Sequence, residues 1–290
     1  MTKESFLNIT DISETLLLTL YARAFESQST NPILIDHKAV EITQILNNLF
    51  EKSDSSLHQS LRKGAVRKRM GNKLNASLCL RTRKFDHYCT EFLTKYPTGT
   101  IVELGCGLST RFPRIDNEKI TWYDLDFPEI IAIRKQFFTE TNRYHFIPSS
   151  VLDFSWIEQI KNHPKNILFI AEGLFMYLYE DDVKNLILTL QQTFPGCELA
   201  CEVANTFIVK TLQRKLWRKK FQHDFHLGKK ATFHYGITNS NAFEHWNTGI
   251  EFLDDWTYFD DKEKKLGWMN FFRHFKKLKK AQWIIHYTLH

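Results

Sequence analysis

The 290-residue sequence has no apolar run long enough to cross a bilayer; its longest candidate, Ile167–Tyr179, is broken by Glu172 and Gly173. The opening MTKESFLNIT carries no apolar stretch of signal-peptide length. Among five cysteines there is no Cys-x-x-Cys pair and no histidine at zinc-ligand spacing, so neither a disulfide framework nor a structural zinc site is expected. These absences predict a soluble protein of a reducing, cytoplasmic compartment with no membrane partner. Glycine (11) and proline (7) are sparse, and no stretch rich in them or in serine makes a linker, so residues 1–290 are expected to form one elaborated domain. No internal repeat is visible. With 43% hydrophobic and 25% charged residues, intrinsic disorder is excluded.

What is present changes texture along the chain. Residues 14–26, 38–50 and 74–95 space their apolar side chains helically, which predicts a helical N-terminal region over 1–98. After the Pro97-Thr98-Gly99 turn, 100–104, 119–125, 144–147, 166–171 and 197–204 read as short strands, with a helix over 180–194 and another helical stretch from 205 to 221. Strands alternating with helices predict a parallel sheet over 99–205. Residues 222–250 show weak periodicity and are expected to form a loop or lid, and 281–289 a last strand, within a substrate-side region 206–290. That region is basic: residues 210–290 hold 16 basic against 8 acidic side chains, where the first 209 hold 23 against 25. The run Arg273–Lys280 reads by default as a solvated helix.

The sharpest local signal is Glu103-Leu104-Gly105-Cys106-Gly107, a strand entering a Gly-x-Gly turn, with Asp124 and Asp126 ending the next strand. Glycines at Gly105 and Gly107 let the backbone approach a ligand, and a carboxylate some 20 residues on can accept from ribose hydroxyls. Strand alternation sends Asp124 and Asp126 to one side, so either can serve. The third glycine of the dinucleotide fingerprint is replaced by Thr110, which weakens a nicotinamide-coenzyme reading, and Glu103 before the turn suits an adenosyl cofactor without phosphates.

Three segments in order, GCGLSTR from Gly105, WYDLDFPE from Trp122 and AEGLFMYL from Ala171, resemble the leucine carboxyl methyltransferase family, in its bacterial polyketide-type O-methyltransferase branch. The resemblance extends over residues 13 to 210 or so. It implies a class I methyltransferase (Rossmann-like) fold of the α/β class, a seven-stranded, mostly parallel sheet with helices on both faces and an added helical cap. It implies S-adenosyl-L-methionine as cofactor. Carried over residue by residue, it places Arg81 on the methionine carboxylate, Gly105 with Gly107 against the donor, Asp126 on the ribose and Glu172 near the amino group. In place of the Asp-Leu pair that the eukaryotic members present to adenine, this chain has Ser149-Ser150-Val151-Leu152-Asp153. Ser150 and Val151 are taken as the adenine contacts, and Asp153 as a cap of the following turn.

Remaining residues are weighed singly. Tyr177 is the catalytic candidate, its ring able to face a sulfonium, with a core aromatic as the plain alternative. Arg111 reads as an exposed helix arginine. Cys106 lacks a cationic partner and is not expected to be a nucleophile. His223, His226, His234 and His245 show no ligand set, so no metal is expected, though one could act as a base. The predicted activity is O-methylation of a carboxylate or phenolic oxygen of a small molecule, possible in secondary metabolism, by in-line displacement. A nucleic-acid or protein methyltransferase using the basic, aromatic C-terminal third is the alternative. Self-association as a homo-oligomer stays open.

Overall fold

The computed structural model describes residues 14–51, 53–160, 166–214 and 232–290. Among the described residues four helices precede the first strand: α1 (Glu14–Ser27), α2 (His37–Phe50), α3 (Ser56–Arg62) and α4 (Ala65–Lys95). Asp36 and Ser55 cap α2 and α3, each side chain accepting a backbone N–H of the first turn. Leu17, Leu20 and Tyr21 of α1, Ile42 and Leu46 of α2 and Cys79 and Leu80 of α4 share one core.

The chain then lays down β1 (Thr100–Leu104), the short α5 (Phe112–Ile115), β2 (Thr121–Asp126), α6 (Pro128–Arg134), β3 (Tyr144–Pro148), β4 (Ile167–Ala171), α7 (Glu180–Thr193), β5 (Cys197–Ala204) and α8 (Thr206–Gln213). β6 (Ile250–Thr257), a kinked 3-10 run Lys264–His274, α9 (Lys276–Lys279) and β7 (Gln282–Leu289) follow. The seven strands make one sheet in the order β3-β2-β1-β4-β5-β7-β6, parallel except for β7, which runs antiparallel to both neighbours. Alternation divides each strand between two cores: Ile101, Leu168 and Ile170 meet the helical cap, while Val102, Phe169 and Ala171 meet Val183, Leu186 and Ile187 of α7 on the opposite face.

Strand order reverses between β1 and β4, and the carboxyl ends of those two strands open the crevice expected at such a switch point. β6 falls on a segment where no strand was expected. Its Glu251, Leu253 and Asp254 are exposed, it pairs on one side with β7, and its register shifts between Phe252 and Asp254, so the apolar alternation that marks a strand is missing. The expectation for Arg111 is overturned: its side chain is almost fully buried, because three carboxylates converge on it.

Candidate active site

β1 ends at Leu104, and the chain turns through Gly105 and Gly107, both in the left-handed region at φ 66° and 51°. The N–H groups of Gly105 and Cys106 donate to the Leu125 carbonyl, and that of Gly107 to Asp126 Oδ2 at 2.7 Å, so the turn is stitched to the end of β2. A Cβ on Gly107 would lie 2.6 Å from Leu16 Cδ2, and one on Gly105 3.1 Å from Leu174 Cδ1; conformation and space both call for glycine.

Two cavities meet at this turn and share Thr15, Leu16, Gly105, Gly173 and Tyr177 as a common wall. The first, about 140 Å³, is lined by Arg81, Glu103, Arg111 and Glu172, with Met176, Phe233 and Gln282 also in its wall. The second, about 290 Å³, is lined by Asp126, Ser150, Val151 and Leu174.

Charge is concentrated at the first. Arg111 donates to Asp86 Oδ1 at 2.8 Å and also to Glu103 and Glu172. Arg81 donates through Nε to Glu172 Oε1 at 2.8 Å and through Nη1 to Glu202 Oε2 at 3.0 Å. Tyr258 donates its hydroxyl to the other Glu202 oxygen at 2.5 Å. Burial pushes Glu103 up to about 7 against the opposing pull of Arg111. Burial acts on Glu172 too, yet Arg81 and Arg111 together outweigh it and bring that carboxyl down to about 2. Burial raises Asp126 to about 6, despite the N–H groups of Gly107 and Phe127 that it accepts, and Tyr177 to about 12. Cys106 is raised well above the usual thiol range by burial, so it holds its proton.

The structure thus brings Arg81, Glu103, Gly105, Gly107, Asp126, Ser150, Val151, Glu172 and Tyr177 to one crevice. It does not bring Asp124 there. That carboxylate is fully buried, paired with Arg134, and accepts from the Tyr144 hydroxyl and from Trp122 Nε1 at 2.9 Å, so its acceptor capacity is spent within the core. Asp153 caps the turn after Val151, accepting from Ser155 N–H at 3.2 Å. His223 and His226 lie outside the described residues. His234 sits beside Tyr179 with ring centroids 4.5 Å apart, and His245 ends a single 3-10 turn. Among the described residues no group of His, Cys, Asp or Glu could hold a metal ion. Sequence reasoning missed Glu202 and the wall given by α1; the one signal for Glu202 was an acid inside an apolar strand, where an unpaired charge is costly.

The sequence pattern of the leucine carboxyl methyltransferase family matches residues 17–191, more than half of the chain and most of the stretch that lines the crevice. The chain belongs to that family. As a leucine carboxyl methyltransferase family member it is an S-adenosyl-L-methionine-dependent methyltransferase. It is 27% identical over 258 residues to the tetracenomycin polyketide synthesis O-methyltransferase TcmP of Streptomyces glaucescens, covering 88% of this chain and 86% of that protein. It is 29% identical over 203 residues to the S-adenosyl-L-methionine-dependent methyltransferase dpfgK of Gibberella zeae, covering 64% and 62%. Its fold is like that of a DUF574 family protein from Streptomyces avermitilis, with a TM-score of 0.55 at 9% identity over 84% of this chain and 95% of the other.

The residues fit such a donor. The glycine turn makes a cradle that side chains would fill, and carboxylates at Glu103, Glu172 and Asp126 suit an ammonium, a sulfonium and ribose hydroxyls better than phosphates. A pyrophosphate is normally met by a helix that starts in the glycine turn, whereas here the next helix, α5, begins at Phe112 and is four residues long.

Proposed function

We propose that this methyltransferase transfers its methyl group to oxygen, on a carboxylate of a small apolar or aromatic molecule. The observation that carries this reading is the wall facing the polar cavity: Met176, Tyr177 and Phe233 are apolar or aromatic, and no histidine is among the described residues lining either cavity. Tyr177 is raised to about 12 and stays protonated at neutral pH, so it can orient an acceptor and is a poor base. An acceptor that arrives already ionised needs no base; a carboxyl of pKa about 4 meets that condition and a phenol of pKa about 10 does not. The likeness to a polyketide synthesis O-methyltransferase supports transfer to oxygen of a small molecule. Helix α1 supplies Thr15, Leu16, Thr19 and Arg23 to the crevice wall, which suits a small acceptor more than a macromolecular chain.

Bound in the crevice, the donor supplies a methyl group activated by the positive charge on sulfur. Arg81 holds its carboxylate by charge-assisted hydrogen bonds, with Glu172 and Glu103 near its ammonium. Asp126 accepts from the ribose, Ser150 and Val151 border the base, and Gly105 and Gly107 admit the chain of the ligand. Tyr177 presents its ring between the two cavities. The protein's work is to place acceptor oxygen and methyl carbon in line and to keep water out.

Calorimetry with S-adenosyl-L-homocysteine, followed by methyl uptake from labelled donor into aromatic carboxylic acids and phenols, tests this. With the donor saturating and above the range in which Asp126 and Glu103 titrate, ester formation with a rate flat from about pH 8 to 9 is expected. Methylation of phenols alone, with a rate climbing toward the phenol pKa, would overturn the carboxylate assignment.

A further inference from the structure

The segment between β6 and β7 buries one apolar stripe and exposes another. Leu266, Met269 and Phe272 pack against the cap-side core, and Phe272 meets Phe259 edge-on. Trp268, Phe271, Phe275 and Leu278, spread over the kinked 3-10 run and the short helix after it, are 64%, 63%, 46% and 40% exposed, and Phe271 packs on Phe275 with ring centroids 5.2 Å apart. They are four of the ten large apolar side chains exposed among the described residues, gathered within eleven positions. Such clustering marks a contact surface, since singly scattered apolar groups are ordinary.

Basic side chains outnumber acidic ones around these residues, and the acids Asp260 and Asp261 are paired with Lys279 and Arg83. Lys265, Lys279 and Lys280 are committed to Glu26, Asp260 and Asp255. Lys264, Arg273 and Lys277 are exposed and have no carboxylate partner among the described residues. Lys73, from α4, sits 4.7 Å above the Trp268 ring. Exposed aromatic rings with basic neighbours on one short surface segment have the composition of an interfacial anchor, rings at headgroup depth and cations against anionic lipid.

We propose that the Trp268–Leu278 face docks on an anionic lipid surface. No helix among the described residues is long and apolar enough to cross a membrane, so the contact is peripheral, and it revises the expectation of no membrane partner. Two other occupants fit less well. At about 200 Å² per large side chain, the exposed parts of these four residues present on the order of 450 Å², well short of the roughly 800 Å² per partner of a stable protein interface. A symmetric pair of copies would also set the same uncompensated cations against one another. Single-stranded nucleic acid wants open ring faces, but Phe271 meets Phe275 at 64° and Trp268 meets Phe272 at 83°, and Leu278 offers no stacking surface.

The full-length protein, sedimented with vesicles of phosphatidylcholine alone and of equal parts phosphatidylcholine and phosphatidylglycerol, tests the assignment. Binding to the anionic vesicles, little to the neutral ones, and loss of binding as salt rises are expected. The double variant Trp268→Ser/Phe271→Ser should partition about tenfold less. Lys277→Glu, which keeps the rings, should weaken only the anionic arm. Unchanged binding of S-adenosyl-L-homocysteine by each variant certifies its fold. No binding to anionic vesicles at low salt, or equal binding by the double variant, overturns the proposal. So does a dimer in light scattering that the double variant dissociates, or an RNA oligonucleotide whose binding the same variant abolishes.

Discussion

The two ends of the crevice are built by different means. At the polar end, Arg81 from α4, Glu103 from β1, Arg111 before α5, Glu172 after β4 and Glu202 from β5 are held by ion pairs that join residues up to 121 positions apart. At the other end Asp126 is fixed by N–H groups of the adjoining turn and of its own successor, and Ser150–Asp153 by a local turn capped from within. Long-range charge pairing makes the first end a part of the fold's stability. The second is shaped by backbone geometry and is more separable from it.

Arg111→Ala should break this contrast most strongly, because it strands Asp86, Glu103 and Glu172 in the interior; a loss of about 3–5 kcal/mol is expected in urea unfolding. Arg81→Ala should weaken S-adenosyl-L-homocysteine roughly tenfold or more in calorimetry. The same variant should leave 5′-methylthioadenosine, which lacks the amino-acid head, within about twofold. Equal loss for both ligands would contradict the division into two ends.

At the Asp126 end the lever is pH. In the proposed binding mode an ionised Asp126 accepts from both ribose hydroxyls, so affinity should fall as pH drops through about 6, and Asp126→Asn should bind weakly with that limb gone. The stability effect runs the opposite way. The folded-state value lies above the ordinary one, so the group's contribution is fully present at low pH and is lost as pH rises through about 6. The smallest effect is expected of Asp153→Ala, about 0.5–1 kcal/mol of stability for a lost cap, with donor affinity unchanged. A large loss of affinity would show that the turn's cap also shapes the base pocket.

Much of this was legible beforehand. Residues 100–104 and 197–204 were expected as strands with the bounds that β1 and β5 have, because buried apolar runs between turn signals are read easily. The glycine turn followed from local chemistry alone. β6 was not legible, since an edge strand with Glu251, Leu253 and Asp254 exposed owes its form to its neighbour β7. Arg111 was misread because its partners Asp86, Glu103 and Glu172 lie 25, 8 and 61 positions away, and only the fold gathers them. For Asp124 and Asp126 the alternation could not show depth. Two residues further from the strand end, Asp124 meets Arg134, Tyr144 and Trp122 instead of a ligand.

Leu16 resting on the glycine turn has one more consequence. The crevice is finished by α1 and by Arg81, both on the N-terminal side of the residue 98 boundary that texture suggests. A cut at that boundary would therefore divide the crevice between two fragments, and a donor bound there should protect α1 from proteolysis.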